Sequence, residues 1–426
     1  MIATLDKVKI CVVGLGYVGL PLAVLFARRY PTVGFDIDAT RVRSLLDGVD
    51  GTGEVDGERL GEVVKNNMLS FTTSEANIKD CNVYIVTVPT PVDDNNHPNL
   101  VPLITASQTV GRVISSGNVV IYESTVYPGV TEEECLPEIE QVSGLVLNHD
   151  FYAGYSPERI NPGDKLHRVE NIKKVTSGSN TEAAEFVDSL YNSVLTAGTH
   201  RAPSIRVAEA SKIVENTQRD VNIAFVNELA KIFNAMGIDT HDVLDAAATK
   251  WNFIPMRPGL VGGHCISVDP YYLIQKSQLY GVLPRVMTNA RRLNNSMGQY
   301  VAERLVKLMV KQGIMVMNAR VLIMGFAFKE NCPDIRNTKV LDIYHTLQEY
   351  TNNICIFDPV VDGQKARREY GVNVVDTLPD GTFDAAIYAV AHNAFASVPL
   401  RVLVPRPGVI YDVKGVLPKD IIDARL

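Results

Sequence analysis

Lys9-Ile-Cys-Val-Val-Gly14-Leu-Gly16-Tyr17-Val18-Gly19 decides how the first third of this chain folds. A short apolar run of strand length meets three glycines spaced G-x-G-x-x-G, and a helical pattern over Gly19–Arg29 follows at once. The first glycine permits a tight turn, the second lets a pyrophosphate approach the backbone, and the third lets helix and strand pack closely. The helix N-terminus then favours an anion. Thr32–Phe35 supplies the next strand, and Asp36 ends it about twenty residues past the glycines, where a carboxylate accepts hydrogen bonds from both hydroxyls of an adenosine ribose. An acid there repels a 2′-phosphate, so NAD rather than NADP is the expected cofactor. Arg41 lies nearby and either favours a 2′-phosphate or stacks on adenine.

Outward from this unit, runs at Val83–Val88, Val119–Tyr122 and Phe151–Tyr155 alternate with helical patterns such as Pro102–Ile114. That alternation predicts a parallel sheet with right-handed crossovers. From Ser204 to Ala235 the pattern changes to helical spacing, with Val207, Ala210, Val214, Val221, Phe225, Leu229, Ile232 and Met236 on one stripe between Pro203 and Gly237. So long a helix reads as a spine between domains, and its stripe as a candidate subunit interface. Strand signals return at Arg320–Met324 before Gly325, at Ile354–Phe357 before Asp358, at Phe383–Val390 and at Val409–Asp412. The expected fold is α/β: two Rossmann-like doubly wound domains joined by a central helical domain. The expected boundaries are 1–200, 201–310 and 311–426.

The bulk numbers restrict the partners. With 426 residues, 46% of them hydrophobic and 21% charged, the chain has material for two or three buried cores at about 150 residues per domain. A formal charge of −7 argues against nucleic acid or a membrane surface as a general partner, since both need basic patches. The six cysteines at 11, 81, 135, 265, 332 and 355 are scattered without metal-ligand spacing, as in a reduced cytosolic enzyme, and no metal is expected. No secretion signal or membrane-length apolar stretch is apparent. The expected compartment is the cytoplasm.

Several motifs carry chemistry. In Gly262-Gly263-His264-Cys265 the glycines let the backbone pass close to a ligand, and Asp269-Pro270 then opens a helix. A thiol placed so is better suited to reactivity than a buried one; His264 is left without a role. Lys212 and Asn216 lie four apart on one face of the long helix, where an ammonium and an amide could steady a developing oxyanion; from that segment alone, a solvated helix face is the favoured reading. Glu123-Ser-Thr125 and Tyr155-Ser-Pro-Glu158-Arg159 follow strands, where open α/β sheets bind ligands. Phe328-Lys329-Glu-Asn-Cys-Pro-Asp334-Ile-Arg336 brings two cations after the second glycine turn.

Taken together, GLGYVG, VPTP (Val88–Pro91), ESTVYPG, YSPER, KIVEN, GGHC and FKENCPDIR make the chain resemble the UDP-glucose/GDP-mannose dehydrogenases over essentially its full length. Within that family, Thr249-Lys-Trp-Asn-Phe-Ile-Pro, Arg257-Pro-Gly-Leu-Val-Gly-Gly-His-Cys and Glu330-Asn-Cys-Pro-Asp-Ile-Arg are most similar to bacterial enzymes acting on UDP-N-acetylhexosamines for capsule or O-antigen polysaccharide. His264 stands where UDP-glucose enzymes typically carry serine. The resemblance implies a four-electron oxidation of the sugar's C6 alcohol to a carboxylate, using NAD twice and a covalent Cys265 thiohemiacetal and thioester. It implies that Lys212 and Asn216 polarise the C6 oxygen, that Asp269 orients Lys212 and a water, that Glu158 is the base, and that Thr125 lies beside the nicotinamide. Pro89, Thr90, Tyr17, Val18 and Arg336 join the cofactor set. Arg159, Arg257, Gly262, Lys329 and Lys414 join the set for the UDP-sugar, and a homodimer or higher homo-oligomer is implied. UDP-glucose, UDP-N-acetylmannosamine and GDP-mannose are the alternative substrates. The rival activities are an alcohol dehydrogenase that stops at the aldehyde and an inactive dinucleotide-binding regulatory protein.

Overall fold

The structure is a computed structural model, and it describes residues 2–93, 97–160, 168–263 and 266–426. The chain forms two compact units, Met1–Glu215 with Tyr271–Gly281, and Asn216–Pro270 with Val282–Leu426.

The first unit is built on β1 (Ile10–Val13), β2 (Thr32–Phe35), β3 (Leu69–Thr72), β4 (Val83–Val86), β5 (Val119–Tyr122), β6 (Tyr152–Tyr155), β7 (Lys174–Gly178) and β8 (Thr199–Arg201), in the order 3-2-1-4-5-6-7-8. From β3 through β6 all neighbours are parallel. Ile10 and Val12 pack into the core on one side of the sheet and Cys11 and Val13 into the core on the other. Burial on both faces is why β1 reads as an unbroken apolar run instead of alternating. β7 departs from the all-parallel expectation, pairing antiparallel with β6 through Gly154–Gly178 and Tyr155–Ser177. A parallel neighbour needs a crossover, usually a helix, and the chain between Tyr155 and Lys174 has no helical periodicity.

The second unit repeats the plan. Strands β9 (Val321–Met324), β10 (Ile354–Phe357), β11 (Val374–Val375), β12 (Ala385–Tyr388), β13 (Val409–Asp412) and β14 (Ala424–Arg425) form an all-parallel sheet in the order 11-10-9-12-13-14. Val321 and Ile323 enter one core, Leu322 and Met324 the other.

The expected spine is one helix, Ile205–Met236, and the boundary between the units falls within it. Besides a buried apolar face that includes Ile205, Ala208, Ile213, Val226 and Ala230, it has an apolar stripe in the open and a set of buried polar side chains. Val207, Val214, Phe225, Ile232 and Met236 of the apolar stripe are exposed, whereas Glu209, Lys212, Asn216, Asp220 and Asn227 are buried. Among the described residues no helix is long and apolar enough to cross a membrane.

Candidate active site

In the first unit the glycine turn is built for an anion. Gly14 takes a φ of +94°, and a Cβ at Gly19 would overlap the Gly14 carbonyl oxygen and the Thr87 hydroxyl. Thr87 Oγ1 donates to that carbonyl at 2.7 Å, closing the turn. A Cβ at Gly16, in contrast, would meet nothing within 4 Å, so the glycine there leaves open space above the turn. No side chain caps the start of the Gly19–Ala27 helix; the Leu20 and Leu22 N–H groups turn back to the Gly16 and Val18 carbonyls at 3.3 and 3.2 Å and Pro21 has none, so a phosphate there would be met by the backbone of the glycine turn itself. Tyr17 and Val18 lie part-exposed on the same turn.

Asp36 ends β2 as the spacing requires. Its Oδ2 accepts the Leu15 N–H at 2.8 Å and its Oδ1 the Asp38 N–H at 2.9 Å; each oxygen keeps a second lone pair for a ribose hydroxyl. Arg41 has a use that the sequence did not disclose. Its Nε donates to the Leu15 carbonyl at 2.8 Å and its Nη2 to Asp50 Oδ1 at 2.8 Å. Asp50 is half-buried; burial favours its neutral form, but the Val55 and Thr52 N–H groups and Arg41 outweigh this and hold its pKa below the usual value. The guanidinium charge is thus answered inside the protein.

The ends of β4 and β5 are laced together. Thr90 Oγ1 donates to the Thr125 carbonyl at 2.7 Å, Ser124 Oγ donates to the Val88 carbonyl at 2.6 Å, and the Tyr272 hydroxyl donates to the Thr90 carbonyl. Pro89 is exposed beside them. Beyond β6, Glu158 is buried and its Oε1 accepts the N–H groups of Arg159 (2.5 Å) and Ile160 (2.6 Å). Its Oε2 faces Lys174 Nζ at 3.1 Å. Lys174, on β7, also pairs with Glu123, to which the Tyr191 hydroxyl donates. Burial pushes the Glu158 pKa up, but Lys174, the Ile160 N–H and Lys212 more than reverse it, so Glu158 is held below the usual carboxylate value. Lys212 is itself buried, so the solvated-face reading of its helix is set aside. Arg159 pairs with Glu215 and donates to the Lys173 carbonyl.

In the second unit, Asn216 donates from its amide to Asp269, and both are buried. Asp269 stands as the first residue of the Asp269–Leu279 helix. His264 and Cys265 lie outside the described residues, but the turn before them is placed. Gly263 takes a φ of +85°, and Cβ atoms at Gly262 and Gly263 would press on the Asn337 carbonyl and the Phe328 ring. Gly262, Phe328, Lys329, Lys339 and Lys414 line one cleft, which brings three of the expected substrate residues together. Lys414 pairs with Glu330 at 2.5 Å. Burial would raise the Glu330 pKa, yet Lys414 holds it low. Arg336 is doubly hydrogen-bonded to Asp334, and Arg257 pairs with Asp245 and donates to the His241 carbonyl.

Known proteins match this arrangement along its length. Three family models cover it: the NAD binding domain (residues 8–195), central domain (206–296) and UDP binding domain (322–419) of the UDP-glucose/GDP-mannose dehydrogenase family. The chain belongs to that family. It is an NAD-dependent oxidoreductase, and the open glycine turn with Asp36 behind it fits the cofactor. A UDP-N-acetyl-D-glucosamine 6-dehydrogenase of Pseudomonas aeruginosa is 57% identical over 99% of this chain and 100% of its own. A protein of the same name from Salmonella typhi is 54% identical over 99% of both. The solved UDP-D-ManNAc dehydrogenase of Pyrococcus horikoshii superposes with a TM-score of 0.88 at 30% identity, over 98% of each chain.

What sequence reading missed in this dehydrogenase is the Glu123–Lys174–Tyr191 cluster behind Glu158. Glu123 was noted only for the strand before it. Lys174 sits in Asn171-Ile-Lys-Lys174-Val, where nothing separates it from the exposed-looking Lys173. The run Lys174-Val-Thr-Ser-Gly178 mixes polar and apolar residues, so no signal in the sequence marked this lysine as buried.

Proposed function

We propose that this dehydrogenase oxidises the C6 alcohol of a UDP-N-acetylhexosamine, UDP-N-acetylglucosamine or UDP-N-acetylgalactosamine, to the uronic acid. Identity of 57% and 54% over essentially the whole chain with two UDP-N-acetyl-D-glucosamine 6-dehydrogenases carries the reading. Bound NAD supplies the hydride acceptor, and one is consumed for each of the two oxidations. It would be held by Gly14, Gly16, Tyr17, Val18, Gly19 and Asp36, with Pro89, Thr90, Thr125 and Arg336 toward the nicotinamide.

The side chains then divide the remaining work. Lys212 and Asn216 stabilise negative charge on the C6 oxygen as the alcohol loses its proton and hydride. The Cys265 thiolate adds to the aldehyde carbon; a C–S bond forms and the carbonyl oxygen takes a proton, giving a thiohemiacetal. Loss of the second hydride, with the hydroxyl proton, leaves a thioester. Glu158 takes a proton from water as the water oxygen attacks the thioester carbon, and the C–S bond breaks with its electron pair returning to sulfur. Asp269, to which Asn216 donates, orients Lys212 and a water. Gly262, Lys329 and Lys414 hold the UDP-sugar, with Arg159 and Arg257 at its edges. Covalent capture keeps the reactive aldehyde from escaping.

The division of labour follows residues 1–200 for NAD, 201–310 for dimerisation and catalysis, and 311–426 for UDP. The exposed stripe of the Ile205–Met236 helix supports a homodimer, working in the cytoplasm on sugars destined for capsule or O-antigen. The test supplies NAD with UDP-N-acetylglucosamine, UDP-N-acetylgalactosamine, UDP-glucose and GDP-mannose and weighs the products. A uronic acid from an N-acetylhexosamine is expected; turnover of UDP-glucose or GDP-mannose alone would overturn the substrate assignment.

A further inference from the structure

Three ionisable side chains are buried together where β5 and β6 end and β7 begins. Lys174 is 1% exposed, Glu123 1% and Glu158 6%. Burying one ion pair already costs more desolvation than its attraction commonly returns, and here a second carboxylate shares the ammonium. Lys174 has no room to turn away: Nζ pairs with Glu123, faces Glu158 Oε2 at 3.1 Å and lies 5.4 Å from the centre of the Tyr191 ring. Tyr191 in turn donates to Glu123. On the far side, two backbone N–H groups grip Glu158 Oε1, so its carboxylate plane is set from both ends. Among the described residues, the other charges near Glu158 are Lys212, on the long helix, and the neighbouring Arg159–Glu215 pair.

We propose that Lys174, clamped between Glu123 and Glu158, is a positioning residue for the oxidation: it keeps Glu158 anionic and fixes the direction in which Glu158 meets the hydrolytic water, with Glu123 as its anchor. The inference rests on the reading of Glu158 as the water-activating base. The directions of the charge effects agree with it. Glu158 is held low against its own burial, while Glu123, raised chiefly by burial, goes to about 7. Lys174 favours the charged form of both carboxylates, and the Ile160 N–H and Lys212 add to it at Glu158 alone, so the carboxylate nearer the chemistry is the one more readily ionised. Such a device lets a desolvated acid remain a base at mildly acidic pH, which an unaided buried carboxylate does not.

The experiment follows acid release in single turnovers of UDP-N-acetylglucosamine with NAD across a pH series, for the intact enzyme and four variants. Glu158→Gln tests the underlying reading and is expected to lose acid release at least about 100-fold; a wild-type rate would overturn that reading and the inference with it. With Glu158→Gln inactive, Lys174→Met is expected to move the acidic limb of the profile up by about 1–3 pH units. Lys174→Arg is expected to restore the wild-type limb. Glu123→Gln leaves Glu158 as the sole carboxylate on Lys174, so its limb stays at or below the wild-type position. An unmoved limb in Lys174→Met, or limbs moving upward together in Lys174→Met and Glu123→Gln, would overturn the inference while leaving Glu158 as the base. Should Lys174→Met fail to fold, a folded Lys174→Arg with an upward-shifted limb would also overturn it.

Discussion

The two sheets of this dehydrogenase make the same turn and put it to different uses. In each, the first strand of the series ends in a glycine at nearly one φ, +94° at Gly14 and +93° at Gly325. The glycine N–H then bonds to the last residue of the adjacent strand, Phe35 or Phe357. An aspartate follows each of those phenylalanines. Asp36 is part-exposed and keeps lone pairs for a ligand. Asp358 is wholly buried: its Oδ2 accepts the N–H groups of Phe326 (2.7 Å) and Ala327 (3.1 Å) and faces His392 Nε2 at 3.1 Å, and its Oδ1 accepts the Val360 N–H at 2.9 Å. After Gly14 the chain enters a helix within a few residues. After Gly325 it runs through the Lys329–Arg336 loop before the Val340–Gln348 helix. One backbone solution thus serves as an open cradle in one unit and a closed brace in the other, and the difference lies in what occupies the aspartate.

Substitutions at paired positions sharpen this contrast, and the largest effect belongs to Asp358. Asp358→Ala strands the N–H groups of Phe326, Ala327, Val360 and Val361, and His392, in a buried place and should destabilise the second unit by about 3–5 kcal/mol, read by thermal or denaturant unfolding. Asp36→Ala should leave folding nearly unchanged and weaken NAD binding about tenfold or more, since it removes the ribose acceptor; a large loss of stability there would erase the distinction. The glycines give the next effect. A Cβ at Gly325 runs into Val390, so Gly325→Ala should cost roughly 2–4 kcal/mol of stability. Gly16→Ala faces open space and should raise the NAD Kd several-fold with an unmoved Tm, because a methyl there stands where the pyrophosphate approaches.

A smaller effect separates the units by pH. Glu209, buried in the first unit, accepts the Gly129 N–H at 2.6 Å and the Thr131 N–H at 3.0 Å, and its pKa is pushed up to about 7, chiefly by burial. The unfolded carboxyl ionises near its ordinary value of 4.5, so between that pH and about 7 the unfolded state holds fewer protons and stability falls as pH rises. Glu209→Gln should flatten that slope in the unfolding midpoint. The braced Asp358 has the opposite sign: its pKa is lowered, burial being outweighed by His392 and backbone N–H groups, so its contribution is lost only as pH falls below its unfolded value.

The fold was legible because both sheets are buried on two faces, which writes their strands as unbroken apolar runs, and because glycine and aspartate punctuate them. β3 and β7 escaped notice: Leu69-Ser-Phe-Thr72 and Lys174-Val-Thr-Ser-Gly178 carry polar residues that dilute the apolar signal. Asp36, Glu158 and the Lys212–Asn216 spacing could be read because one motif or one helical turn defines them. The burial of Lys212 could not, since its helix buries Lys212, Asn216 and Asp220 alongside Ile213 while leaving Val207, Val214 and Phe225 exposed. The partners of Arg41, Lys174 and Asp358 were hidden for a simpler reason. Each lies on a different strand or loop, and sequence separation conceals who meets whom.

We propose that one active site carries the sugar through two oxidations, the second of them on the Cys265 adduct. Counting NADH formed per UDP-N-acetylglucosamine consumed, for the enzyme and for Cys265→Ala, tests it most directly. The account predicts two NADH per sugar and a uronic acid from the enzyme, and no acid from the variant. One NADH per sugar with an aldehyde product, or undiminished acid from Cys265→Ala, would contradict it.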